Sequence, residues 1–222
     1  MSVRTSRRWL MRGIAGGLVT TLAGCVGTVE ENTADGGRGV TGAPAIAVPT
    51  LGAVDAPITL ASFSDYQCSH CRTYHLDVVP KIVEKYIEPG QVRYEQHDFP
   101  IPLNEWSWNV PLAARSVQAN EGEAAFFAFS KAAFEAQTDM GWSTIRDIAS
   151  DVGADSSRVV SDAKNAVYES VVEADRQRGV DLGVEGTPTF YVDGTELEPE
   201  KSWWYTVDTG LQKAVQSLET TT

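Results

Sequence analysis

The residue types most able to do chemistry are Cys68 and Cys71, separated by Ser69 and His70 in a Cys-x-x-Cys spacing. An alternating strand pattern over 58–64 ends just before the pair, and a helical pattern begins at it. At a helix N-terminus the unpaired backbone N–H groups and the positive end of the dipole stabilise a thiolate, and only the thiolate attacks a disulfide. A second thiol at this spacing is close enough to attack the mixed disulfide and release the product. Cys68 is the expected exposed nucleophile, and Cys71, one turn into the helix, the more buried resolving thiol. His70 is a candidate hydrogen-bond or charge partner of the Cys68 sulfur. Two other readings compete. Zinc needs four ligands, and the remaining candidates, Cys25, His75 and His97, are scattered along the chain. A purely structural disulfide closing so short a loop constrains the unfolded chain little. The expectation is therefore a redox pair with no metal and no cofactor.

The elements around the pair follow from periodicity. Leu76, Val79, Val83 and Tyr86 recur at helical steps, with Pro80 expected to kink the helix and Pro89-Gly90 to end it. Residues 92–97 alternate again, so the opening unit reads as strand, helix and parallel strand. A block of helices follows, with Pro111 expected at the first turn of one of them and Phe126, Phe127, Phe129 and Phe134 on a core face. Trp106, Trp108, Trp203 and Trp204 are read as core rather than as a substrate groove. Strand signals return at 189–192, then Asp193-Gly194 marks a two-residue hairpin before 195–197. A last helix over 201–218 places Trp204, Val207, Leu211 and Val215 on one face.

Composition suits a globular chain: 222 residues, 42% hydrophobic and 22% charged, long enough to bury a core without disulfide staples. Thirty acidic against 18 basic residues give a net charge of -12, which argues against nucleic acid as a partner, because phosphate contacts need clustered Lys and Arg. At the N-terminus, Ser6-Arg7-Arg8-Trp9-Leu10 precedes a weakly apolar stretch too short to span a bilayer, and Leu22-Ala23-Gly24-Cys25 closes it. The paired arginines resemble a twin-arginine export signal and the closing tetrapeptide a lipobox. That resemblance implies loss of residues 1–24 and a lipid on Cys25, holding the chain at the outer face of the cell membrane. The loss takes Arg4, Arg7, Arg8 and Arg12 and no acid, so -12 becomes -16. With six lysines among its 18 basic residues, the chain resembles exported proteins of salt-loving archaea. Residues 25–53, rich in Gly, Ala, Thr and acids and without periodicity, read as a flexible tether.

The stretch Ser62-Phe63-Ser64-Asp65-Tyr66-Gln67-Cys68-Ser69-His70-Cys71 resembles the active site of the DsbA-like thiol:disulfide oxidoreductases of thioredoxin fold. Gly186-Thr187-Pro188-Thr189-Phe190 resembles that family's loop, in which the proline is cis and lies beside the cysteines. The resemblance implies an α/β, thioredoxin-like fold with a helical insertion: 54–102 as the first half, 103–182 as the insertion, and 183–222 as the second half with the cis-proline loop and C-terminal helix. It further implies a redox-active Cys68–Cys71 disulfide and a substrate peptide added as an extra strand at Thr187 and Pro188. Substrates would be exported proteins with thiols or disulfides, and a separate membrane or extracytoplasmic partner would restore the redox state. Two positions depart from the family. Ser62 stands where an acid is common, leaving proton handling to water or to a group such as Asp65, otherwise a turn residue. Ser69 stands where Pro is common, which leaves the redox direction open although His70 matches the oxidising members. The rivals are a reductase or isomerase of the same fold, and a thioredoxin-like binding or metal-carrier module that performs no exchange.

Overall fold

The computed structural model describes residues 46–221; the expected signal, Cys25 and residues 26–45 of the expected tether lie outside them. Five strands, β1 (Thr50–Leu51), β2 (Ile58–Ser64), β3 (Val92–Asp98), β4 (Thr189–Val192) and β5 (Thr195–Glu196), form one sheet in the order β1-β3-β2-β4-β5. β2 and β3 pair in parallel from Ile58 opposite Val92 to Ser64 opposite Asp98, as the strand, helix, strand reading requires. β4 lies antiparallel on the other side of β2, so the thioredoxin-like α/β fold stands. Asp193 and Gly194 both take positive φ, +47° and +78°, the conformation of a type I′ turn, and close the β4–β5 hairpin.

The tether ends earlier than expected. Thr50 and Leu51 pair antiparallel with Glu95 and Tyr94, and Gln118 donates its side-chain amide to the carbonyl of Ala47 at 2.9 Å. These residues lack an alternating pattern because a two-residue edge strand is too short to show one.

The helical run α1 over 69–87 is α-helical at Ser69–Thr73 and Val79–Ile82 and opens into wide π turns at Tyr74–Val78 and Val83–Ile87. Pro80 has no N–H for the carbonyl of Leu76, so the expected kink takes the form of the π turn just before it. α1 and the last helix, α7 (Trp203–Thr221), cover one face of the sheet: Tyr74, Val78, Ile82, Val207 and Leu211 pack on Ile58, Leu60, Tyr94 and Phe190.

Between β3 and β4 run α2 (Trp106–Glu121), α3 (Glu123–Glu135), α4 (Trp142–Asp151), α5 (Ser156–Lys164) and α6 (Glu169–Leu182). Pro111 lies well inside α2 rather than in its first turn. The helix begins earlier, after an Asx turn in which Asn104 Oδ1 accepts the Trp106 N–H at 2.8 Å, a local signal that the proline overshadowed. Phe126, Phe129 and Phe134 are buried with Val110, Val117 and Ile145 in a separate helical core, while Trp106 and Trp108 pack partly buried against it.

α6 serves both parts. Val172 belongs to the helical core, whereas a Cβ on Gly179 would come within 2.5 Å of Phe99 and 3.1 Å of Phe63 on the second face of the sheet; only glycine permits that approach. A division at 182 therefore separates elements that pack as one. The junction also carries charge. Arg115, fully buried on α2, donates Nε to Asp98 Oδ2 at 2.7 Å, Nη2 to Asp175 on α6 and Nη1 to Gln118 at 2.9 Å. His97 adds its Nδ1 to Asp175 Oδ1 at 3.0 Å, so it is structural, as its place at a strand end suggested.

Candidate active site

β2 ends at Ser64, and residues 65–68 turn the chain so that α1 starts with its N-terminus at the C-terminal end of this central strand. Cys68 is the N-cap, extended at φ -78° and ψ 121°, and Cys71 lies in the first turn. Both are free thiols. Cys71 is 0% and Cys68 9% exposed, so the order of burial is as expected while Cys68 is less open than its position before the helix implied. The cause is the loop opposite: Thr187–Pro188 is a cis bond, and Cys68 Sγ lies 3.3 Å from the Thr187 carbonyl, to which it donates when protonated. The structure thus brings Cys68, Cys71, Thr187 and Pro188 together across 119 residues of sequence.

The two sulfurs differ electrostatically. The Cys68 thiol is pushed down to about 5, first by a hydrogen bond from the Cys71 thiol, then, against the effect of burial, by the Thr187 hydroxyl and the backbone N–H groups of Cys71 and His70. The Thr187 hydroxyl is buried with no other hydrogen-bond partner, a donor left for thiolate charge at the cysteines. Cys71 is raised well above its ordinary value, first by burial and then by its role as donor to Cys68. One sulfur is therefore an anion at neutral pH and the other a protonated thiol.

His70 contributes through its backbone N–H; its ring lies 5.9 Å from that of Trp203 on α7, a tilted aromatic contact. His75 is buried, its Nε2 3.0 Å from Ser64 Oγ and its ring stacked 4.1 Å from Phe134, and burial pushes it down to about 3. With His97 on Asp175, neither histidine joins the cysteines as a metal ligand.

Asp65 is almost wholly buried. Its carboxylate accepts the N–H groups of Gln67 and Ile101, each at 2.6 Å, and its own N–H points at Cys71 Sγ at 3.5 Å. Burial, opposed by those two bonds, pushes its carboxyl up to about 6. It is a turn residue and a titratable group beside the resolving thiol at once. Ser62, at the position where an acid was looked for, instead shares a hydrogen bond of 2.7 Å with the Tyr94 hydroxyl. Sequence reasoning did not single out Gln137, whose Nε2 donates to the carbonyls of Tyr66 at 2.7 Å and Cys68 at 3.0 Å; its signal was the helical spacing from Ser130 and Phe134. Cys25 lies outside the described residues.

Residues 45–208 match the thioredoxin family. The chain is 27% identical over 172 residues to disulfide bond formation protein D of Bacillus subtilis (strain 168), covering 74% of this chain and 76% of the relative. It is 27% identical over 158 residues to a probable disulfide bond formation protein D of Bacillus anthracis, covering 68% and 72%. Among solved structures it is similar in fold to oxidised BdbD from Bacillus subtilis, with a TM-score of 0.71 at 23% identity over 76% of this chain and 93% of that one. It is also similar in fold to α-DsbA1 of Wolbachia pipientis, with a TM-score of 0.64 at 22% identity over 79% and 96%.

Proposed function

The chain belongs to the thioredoxin family, and from that membership we propose that it is a DsbA-like protein thiol:disulfide oxidoreductase that passes its Cys68–Cys71 disulfide to exported proteins. The observation that carries this reading is the inequality of the two cysteines. Cys68, held down to about 5, leaves as a thiolate at neutral pH, while Cys71, buried and raised, leaves only by taking a proton.

In the forward reaction a substrate thiolate attacks the Cys68 sulfur of the disulfide. The Cys68–Cys71 bond breaks, Cys71 leaves with the electron pair and takes a proton, and a mixed disulfide joins Cys68 to the substrate. A second substrate thiolate then attacks the substrate sulfur of that bond and Cys68 leaves as a thiolate. The substrate has lost two electrons and gained a disulfide, and the protein holds them as its reduced pair. Stabilising the Cys68 thiolate stabilises the reduced protein and so drives the disulfide outward. Thr187 and Pro188 bind the peptide over Cys68, His70 lends its backbone N–H to the sulfur, and Asp65 or water serves the proton of Cys71. Another exported or membrane partner then reoxidises the pair.

The test is a Cys71→Ser variant expressed in cells: mixed disulfides with exported proteins should accumulate on Cys68 and disappear in the Cys68→Ser variant. Absence of any such adduct in the presence of folded protein would leave the binding-module reading in its place. The export signal and lipid anchor are part of the same proposal and rest on Arg7-Arg8 and on Leu22-Ala23-Gly24-Cys25. A Cys25→Ala variant should be released from membranes; one that still partitions with them as the parent does removes the anchor.

A further inference from the structure

Helix α3 meets the active-site loop along one face. Ser130, Phe134 and Gln137 follow at steps of four and three, a single helical stripe continued into the 3₁₀ turn Gln137–Asp139. All three engage Tyr66, two residues before the nucleophile. The Tyr66 hydroxyl donates to Ser130 Oγ at 3.1 Å, its ring stacks on Phe134 with centroids 4.7 Å apart, and Gln137 Nε2 donates to its carbonyl at 2.7 Å.

The same Nε2 donates to the Cys68 carbonyl at 3.0 Å. That carbonyl already accepts the Arg72 N–H at 3.0 Å, the first turn of α1, so the second bond is not required to satisfy a buried oxygen. Its effect is on position and field. It pins the peptide that carries Cys68, and its N–H dipole offsets the negative ends of the two carbonyls it meets in the nucleophile loop. The turn that presents it is itself held, since the Asp139 carbonyl accepts the Thr144 hydroxyl at 2.7 Å.

We propose that Gln137 is a positioning residue for the disulfide exchange, a side chain of the helical insertion that fixes the nucleophile loop against Thr187 through the carbonyls of Tyr66 and Cys68. This rests on the oxidoreductase reading above. It gives the insertion a part in the chemistry besides packing, because the loop of the thioredoxin half is set from α3.

The experiment compares the reduced parent with Gln137→Ala and Gln137→Glu, the latter of equal length but, when ionised, able only to accept. Thiolate absorbance against pH reads Cys68 directly. The Ala variant should titrate about half a pKa unit higher, a threefold lower thiolate fraction below the midpoint, and the Glu variant about one unit higher, tenfold lower. Should truncation to Ala unfold the turn, Gln137→Met keeps the length without the donor and stands in. Folded variants that titrate as the parent does, whatever their melting temperature, overturn the proposal. The parent's own ability to oxidise a reduced protein decides the oxidoreductase reading, so the two fail separately.

Discussion

Replacing Cys71 with Ala removes the group that contributes most to lowering Cys68, the thiol hydrogen bond between the two. The reactive species at stake is large. With Cys68 at about 5 in the parent, the sulfur is ~99% thiolate at pH 7, whereas a free cysteine of pKa ~8.5 is ~3% thiolate. The Thr187 hydroxyl and the two backbone N–H groups remain in the variant, opposed by burial, so a midpoint of about 7 is expected, with Cys71→Ser between the two because its hydroxyl keeps a donor in place. Alkylation by iodoacetamide across pH 4 to 9, with thiolate absorbance alongside, gives the midpoint. A reduced Cys71→Ala protein that still titrates near 5 would mean that the Thr187 hydroxyl and the helix N-terminus hold the thiolate and that the coupling of the two sulfurs is not the source. The same shift sets a stability window. The folded pKa lies below the unfolded one, so the reduced form gains stability as pH rises from about 5 to ~8.5 and loses it as pH falls through 5. The disulfide form has no such gain, and the difference in melting temperature between reduced and oxidised parent should widen over that interval.

Asp65 has the opposite sign: its folded pKa of about 6 exceeds the ordinary value, so the parent loses stability as pH rises from ~4 through 6, and Asp65→Asn should flatten denaturant midpoints across that range. Arg115→Met leaves the buried Asp98 carboxylate without its cation and Asp175 with His97 alone, and should cost ~3–5 kcal/mol in urea unfolding at pH 7. That loss should shrink at acid pH, because burial already raises Asp98 toward protonation. With a net charge of -12, the chain repels itself at low ionic strength. The melting temperature should therefore rise with KCl as the Debye length falls from ~30 Å at 0.01 M to ~3 Å at 1 M. A flat or falling profile removes the argument for a salt-loving origin.

What could be read before the fold was known divides by range. Local signals carried the parallel unit around Cys68, the Asp193-Gly194 hairpin and the buried face of α7, because period and turn chemistry are written within a few residues. The pairing of Cys68 with Thr187 rested on resemblance, since nothing local ties positions so far apart in the chain. β1 was hidden by its length. Pro111 misplaced the start of α2 because the Asx turn at Asn104 was not weighed against it. The largest revision concerns His70, expected to act through its ring and found to offer its backbone N–H while the imidazole sits beside Trp203. Side-chain direction at a helix start is set by the packing of α7, which lies over a hundred residues downstream. Gln137 escaped notice for the same reason: its chemistry lies in which carbonyls it meets, not in its type.

Equilibration with glutathione decides whether the Cys68–Cys71 pair is an oxidant because its reduced form is stabilised. For this two-electron couple ~30 mV is about 1.4 kcal/mol. The expected potential lies well above the ~-270 mV of thioredoxin and toward the ~-120 mV of DsbA, and it falls when the hydroxyl donor to Cys68 is removed by Thr187→Val. A potential at or below that of thioredoxin, with Cys68 titrating near 8.5, would contradict it and make the protein a reductase.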